Sequence, residues 1–310
     1  MTTPHVTTRT KRNAFTLTEL MIVIVIIGIL VGISSPFIFA AMRTAKEFTI
    51  TNEIVQLDAA VQRFETKHGF FPPAIGPGLE IDTNNPAAAV ANFRRYLNRI
   101  APNHAEGVVG SGGGLDAWWA EVGSNLEGDS SLVFWLSGLC TSKQYPLSGN
   151  AAIANSSTPT PLAPYNANND FMDNPLNVTI DRDVFFDFTS GRLVNSPAGI
   201  PGIKSYNQPE GKGNELAYRY RDSKSYTPSD PTVAALAYHV EEADGTIVFF
   251  NPGTFQIICP GMDGQITRQT DQSMVVTDTV ALSMPSANAD PEQDDNITNF
   301  ANGRLDTVFE

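Results

Sequence analysis

From Leu20 to Met42 the chain runs for 23 residues without a charged side chain, and no second run of this kind follows. A bilayer core takes about 20 apolar residues as a helix, so this segment predicts one membrane crossing. Glu19 stands at its mouth. A carboxylate at the edge of a membrane helix is costly unless something meets its charge, and its presence there calls for a partner. Arg9, Lys11 and Arg12 precede the run with no acid among them. Positive flanks stay in the cytoplasm, which predicts a cytoplasmic N-terminus and places everything after Met42 outside. The run exceeds the 7–15 apolar residues of a secretory signal peptide. Its helical pattern also continues past Pro36 with no loop for a signal peptidase.

Beyond the apolar run, Ile50, Ile54, Leu57, Val61 and Phe64 fall at 4-3-4-3 spacing. That spacing draws one apolar stripe along a helix, with charges on the other faces. Gly69 and then Pro72-Pro73 stop it, glycine as a C-terminal cap and proline because it cannot continue. A helix from Phe15 to His68 is therefore expected, its first half soluble in lipid and its second half lying on a soluble domain. Gly28, Gly32 and Pro36 are the places where it would bend or locally melt.

Ala14-Phe15-Thr16-Leu17-Thr18-Glu19, followed by the uninterrupted apolar helix, resembles the cleavage and methylation motif of type IV prepilins and type II secretion pseudopilins. The resemblance implies that residues 1–14 are a leader, cut between Ala14 and Phe15 by a membrane-embedded prepilin peptidase that then methylates the new amine. Glu19 becomes the fifth mature residue, and Pro36 matches the proline that follows seventeen residues later. Ala14 stands where the family usually has glycine. In the family the glutamate meets the N-terminal amine of a neighbouring subunit and sets axial register, which makes Glu19 and Pro36 assembly residues. The segment "KHGFFPP" at 67–73 resembles the family's junction between helix and head.

The implied architecture is α+β and pilin-like. A long helix (15–69, with the membrane span at about 20–42) packs on a small antiparallel sheet, and a large helical and loop insertion occupies 70–180. Within the insertion, helical patterns occur at 86–100 and 115–123 and an apolar helix or buried strand at 130–139. Loops rich in Gly/Ser and Pro/Asn lie at 110–114 and 156–169. From 181 to 310 short β-branched and aromatic runs read as strands: VFFDF, RLV, LAYRY, TIVFF and FQIIC. "GSGGG" lacks the Lys-Ser/Thr of a phosphate loop, and "GDSSL" at 128–132 has no strand–turn–helix elbow around it. Gly128-Asp129-Ser130 reads instead as a loop and N-cap. No catalytic group is assigned.

Net charge is −13, and from Glu241 to Glu310 twelve acids face only Arg268 and Arg304. Such a surface repels nucleic acid and favours cations. "FQIICPGMDGQ" at 255–265 and "DDNITNF" at 294–300 resemble the closing segment of the major pseudopilin of type II secretion, where acidic side chains wrap one calcium ion. The matching positions are Asp263, Asp294 and Asp295, with Asn296 as the other position onto which the second late acid aligns. The loop between the two segments is longer here than in the family. Asp, Asn and backbone carbonyl oxygens are what Ca²⁺ takes. Cys140 and Cys259 are left either as one disulfide or as two buried thiols. The four histidines show no ligand spacing.

The function these features imply is that of a filament subunit, in a type II secretion pseudopilus or a type IV pilus-like fibre. Its partners would be copies of itself and other pilins, prepilin peptidase, an inner-membrane assembly platform and the bilayer. The alternative is a low-copy minor pilin whose enlarged head binds a substrate, surface or partner at the filament tip.

Overall fold

One helix, α1 (Leu17–His68), carries both the apolar run and the amphipathic stripe. The computed structural model describes residues 16–105, 115, 119, 123–147, 181–195, 204–209, 217–226, 237–241, 244, 246–261, 296–301 and 303–305. The chain divides into two compact units, Met1–Ala45 and Lys46–Glu310. In the first, the large apolar side chains from Leu17 to Met42 are all solvent-facing, with mean hydropathy 2.8 over the most apolar window. The helix continues unbroken through Gly28, Gly32 and Pro36 instead of melting there. Membrane helices tolerate such residues because the freed backbone groups can be satisfied again locally.

In the second unit, Ile50, Ile54, Leu57, Val61 and Phe64 are all at most 2% exposed, as is Ala60. Each of the five larger side chains contributes about 1.5–3 kcal/mol by leaving water. Gly69 ends the helix at φ +75°, a left-handed conformation that a side chain would strain, and its N–H donates to the Glu65 carbonyl. The turn that follows is held from two directions. Tyr220 donates its hydroxyl to the Pro72 carbonyl at 2.7 Å, and Trp135 donates its indole N–H to the Pro73 carbonyl at 2.9 Å.

Two short parallel strands, β1 (Ile75–Gly76) and β2 (Ile81–Asp82), lead into α2 (Pro86–Ile100). Asn85 caps α2 through the Ala88 N–H, and Pro86 starts it with a φ already suited to helix. Ala89, Phe93, Tyr96 and Leu97 form its buried face. Of the stretch 115–123, Leu115 and Trp119 are described as helical and buried. The next helix, α3 (Gly128–Leu136), is buried at every one of its nine positions. It begins at Gly128, so Gly128, Asp129 and Ser130 form its first turn and not a loop before it. The Ser130 hydroxyl accepts the Glu127 N–H at 2.8 Å. At its far end Gly138 has φ +84°, and a Cβ there would meet the Asp183 carbonyl oxygen at 2.1 Å.

The remaining described strands are β3 (Leu193–Asn195), β4 (Lys204–Tyr206), β5 (Arg219–Asp222), β6 (His239–Glu241), β7 (Ile247–Phe249), β8 (Phe255–Cys259), β9 (Ile297–Thr298) and β10 (Gly303–Arg304). Antiparallel pairing in the order β10-β9-β8-β5 makes the largest sheet, with Tyr220 opposite Ile257. β3–β4 and β6–β7 are separate antiparallel pairs, so TIVFF joins a hairpin with His239–Glu241 and not the main sheet. VFFDF is not a strand. The Phe185 and Phe186 N–H groups both donate to the Leu136 carbonyl and close the end of α3. Their rings serve as plugs, Phe185 against Phe64 and Phe186 against Tyr206. Among the described residues the larger core cluster joins the α1 stripe, residues from the 70–147 stretch, and the sheet, and a smaller one gathers Tyr238, Ile258, Ala301 and Leu305. Cys140 and Cys259 are not bonded to each other, and both are buried thiols. Cys259 donates to the Gln208 side-chain oxygen at 2.9 Å.

Candidate functional site

The start of α1 closes on itself. The Thr16 N–H and hydroxyl both donate to one Glu19 carboxylate oxygen at 2.8 Å, and the Glu19 N–H reaches the Thr16 hydroxyl at 3.3 Å. This is a reciprocal capping box, Thr at the cap and Glu three residues on, and it satisfies backbone donors that a helix start leaves open. The negative charge also sits where the helix macrodipole favours it. Thr-x-x-Glu was readable in the sequence as a helix start, and its capping role went unread because the membrane pattern dominated. Glu19 is exposed, and from Leu20 onward the helix offers only apolar side chains as far as Gly28. Such a surface, long and apolar with a charged entrance, can be covered by lipid or by other apolar helices.

Within the second unit, the polar side of α1 is tied to the head by carboxylates whose partners the helical periodicity does not reveal. Glu53 accepts both ends of the Arg192 guanidinium, at 2.6 Å on Nη1, and the hydroxyls of Tyr206, at 2.9 Å, and Tyr218. Arg192 also stacks 4.3 Å over the Tyr206 ring. Burial, then the charge on Glu53, pushes the Tyr206 hydroxyl up to about 12. Burial likewise raises Tyr218 well above its ordinary value. Both hydroxyls therefore stay protonated as donors. Glu47 pairs with Arg304 at 3.0 Å, and Asp58 accepts from the Asn299 amide at 2.9 Å. These contacts, added to the apolar stripe, fix residues 47–58 of the helix to the sheet.

Residues 9–35 match the family model for the prokaryotic N-terminal methylation motif. That span covers the basic flank, Ala14, Phe15 and Glu19, and most of the apolar run. The chain is also 32% identical over 94 residues to the type II secretion system core protein G of Escherichia coli strain K12. Together the two matches support a place among the pseudopilins and type IV pilins. The aligned part is 29% of this chain and spans 64% of that relative. No solved structure matches it at a comparable level. The pilin-type motif and the apolar start of α1 together support membrane anchoring, and both matches point to structural pilin-like proteins.

Glu19 and Pro36 both lie within α1, while Ala14 and Phe15 lie outside the described residues. Asp263, Asp294 and Asp295 also lie outside them. Asn296 is described and buried. Its side-chain oxygen accepts the Gly261 N–H at 3.1 Å, and its amide donates to the Tyr238 hydroxyl at 2.8 Å. Gln208 donates to the Gly261 carbonyl at 3.0 Å. The two segments that resemble the pseudopilin calcium loop therefore meet at Gly261 and Asn296. Among the described residues no group of three or more His, Cys, Asp or Glu side chains is arranged to hold a metal.

Proposed function

We propose that this chain is a structural subunit of a type II secretion pseudopilus or type IV pilus-like filament, assembled through α1. The observation that carries the reading is the methylation motif placed at the start of a helix that runs without a charge from Leu20 to Met42 and whose large apolar side chains there face solvent. The chain enters the inner membrane with its N-terminus in the cytoplasm and its head outside. Prepilin peptidase cuts between Ala14 and Phe15, and the assembly platform draws subunits into a fibre. Apolar helices then replace lipid as one another's cover. Glu19 meets the new amine of a neighbouring subunit, so that each added chain has one favoured axial position. The mature N-terminus decides the matter by mass spectrometry. N-methylated Phe15 is expected. A mature chain starting at Ala41 or Met42 would have lost the assembly helix and would overturn the proposal.

A second reading, a low-copy minor pilin, is favoured by one observation: most of the chain falls outside the part that aligns with protein G. A head enlarged in this way suits recognition at a filament tip. Stoichiometry in purified filaments separates the two, since a major subunit dominates the fibre and a tip subunit is present in a few copies.

Calcium belongs to the same proposal. Asp263, Asp294, Asp295 and Asn296 supply the hard oxygens that Ca²⁺ prefers, and the Gly261–Asn296 hydrogen bond holds the two ends of that segment together. Bound only by the folded chain, calcium at 100 times Kd adds about 2.7 kcal/mol. Chelation should lower the melting temperature of the full chain in detergent, and Asp263→Ala should abolish that shift while Asp271→Ala keeps it. Superimposed melts with calcium and with chelator would remove the site.

A further inference from the structure

Far from the assembly helix's start, the edge strand β5 meets the 74–82 segment and α2 through a cluster of side chains that none of the roles above uses. Asp222, at the end of β5, is 3% exposed. One of its oxygens accepts the Ala74 N–H at 3.2 Å and the Ser225 hydroxyl, and its carboxyl hydrogen-bonds to that of Glu80. The Ser225 hydroxyl in turn accepts the Glu80 N–H at 2.9 Å. Glu80, its side chain 13% exposed, accepts Lys224 Nζ at 2.9 Å and the Tyr96 hydroxyl. Two carboxyls in hydrogen-bond contact cannot both be ionised away from water, because neither then has a donor for the other and like charges repel.

We propose that Asp222 and Glu80 hold one proton between them and form a pH-sensitive clamp that fastens the 74–82 segment and α2 to β5. With that proton bound, the pair carries one negative charge, and Lys224 neutralises it from the solvent side. With the proton lost, two negative charges lie in contact away from water and repel each other. Tyr96 and Tyr226 are held neutral, Tyr96 at about 12 and Tyr226 higher, both chiefly by burial. Tyr220 is raised in the same way. Asp82 accepts from the Gly78 and Asn84 N–H groups in its own loop. The Arg221 guanidinium donates to the Tyr220 carbonyl at 2.7 Å and crowds Gly128, and its charge also acts on Tyr226.

Burial first, and then Glu80, hold the Asp222 carboxyl well above the usual carboxylate range. A folded-state value above the unfolded one means that the native chain binds the extra proton. The stabilisation is complete below the ordinary carboxylate value and is lost as pH rises through the folded one. His68, half-buried against Phe64, Phe70 and Phe185, acts in the opposite sense. Burial lowers its value, so its contribution is lost as pH falls. Comparing the wild type with a variant at each pH cancels the His68 effect.

The test uses the full chain in detergent micelles. Thermal melts between about pH 5 and pH 9 compare wild type with Asp222→Asn, which keeps a neutral hydrogen-bonding group in place. The wild-type melting temperature should fall relative to the variant by roughly 3–8 °C as pH rises, and then level off once Asp222 ionises. Parallel curves over the whole range would overturn the clamp. Should the variant fail to fold, the wild type decides alone by infrared titration. A protonated-carboxyl C=O band should persist above the ordinary carboxylate range and vanish as pH rises further, whereas its loss within that range refutes the shared proton. In Glu80→Gln the band should titrate at lower pH, because the neighbouring charge is gone. An unchanged midpoint there counts against sharing.

Discussion

Phe64→Ala should destabilise the head by about 3–5 kcal/mol, a large part of the roughly 5–15 kcal/mol that holds an ordinary domain together. Phe64 is 1% exposed and stands where four parts of the chain converge. Its ring lies 5.6 Å from Phe70 after the helix, 5.8 Å from Trp135 on α3 and 5.1 Å from Phe185, the last two in different segments. Alanine removes the ring and leaves a hole whose walls belong to all of them, so no single element can relax to fill it. Denaturant unfolding of the full chain in detergent measures the loss. Val55→Ala, on the same helix but 52% exposed, should stay within about 0.5 kcal/mol. A Phe64→Ala midpoint as close to wild type as that of Val55→Ala would mean that the aromatic junction does not hold the head together.

The stripe to which Phe64 belongs was fully legible, because a 3.6-residue period survives whatever the helix packs against. The start of α2 was equally clear, since Asn85 and Pro86 act locally. The sheet was less so. FQIIC and RLV became strands, but VFFDF did not, because Phe185, Phe186 and Phe188 are drawn to distant rings and the backbone of Phe185 and Phe186 closes α3. Nothing in five neighbouring residues encodes a contact made across more than a hundred positions. Strands of two or three residues such as β9 and β10 carry too little pattern to be read at all. The polar anchors on α1 were hidden for another reason. Glu53 looks like a surface charge in a helical wheel, and only the fold brings Arg192, Tyr206 and Tyr218 to it. The membrane helix and its motif were plain because lipid imposes length and composition directly on the sequence.

Glu19→Ala should abolish incorporation into filaments while leaving membrane insertion, cleavage and the folded head unchanged. Two roles meet at this carboxylate, and they can be separated. In the single chain it completes a capping box with Thr16. In the filament proposed above it faces the cationic amine of a neighbour in surroundings largely stripped of water. There an amine left without its partner is far more costly than at a wet surface. Glutamine can occupy the third position of a capping box as glutamate does, but it carries no charge. Glu19→Gln should therefore keep the helix start intact and still fail to assemble. If capping alone mattered, Gln would assemble and Ala would not. Thr16→Val supplies the complementary test: it removes the hydroxyl that binds the carboxylate but leaves the charge. It should weaken the helix start while filaments still form at reduced yield. The readout is the fraction of subunits recovered in sheared filaments against the fraction left in membranes. Wild-type recovery of Glu19→Ala in the filament fraction would refute the assembly role of this residue. Recovery of Glu19→Gln alone would reduce that role to a helix cap.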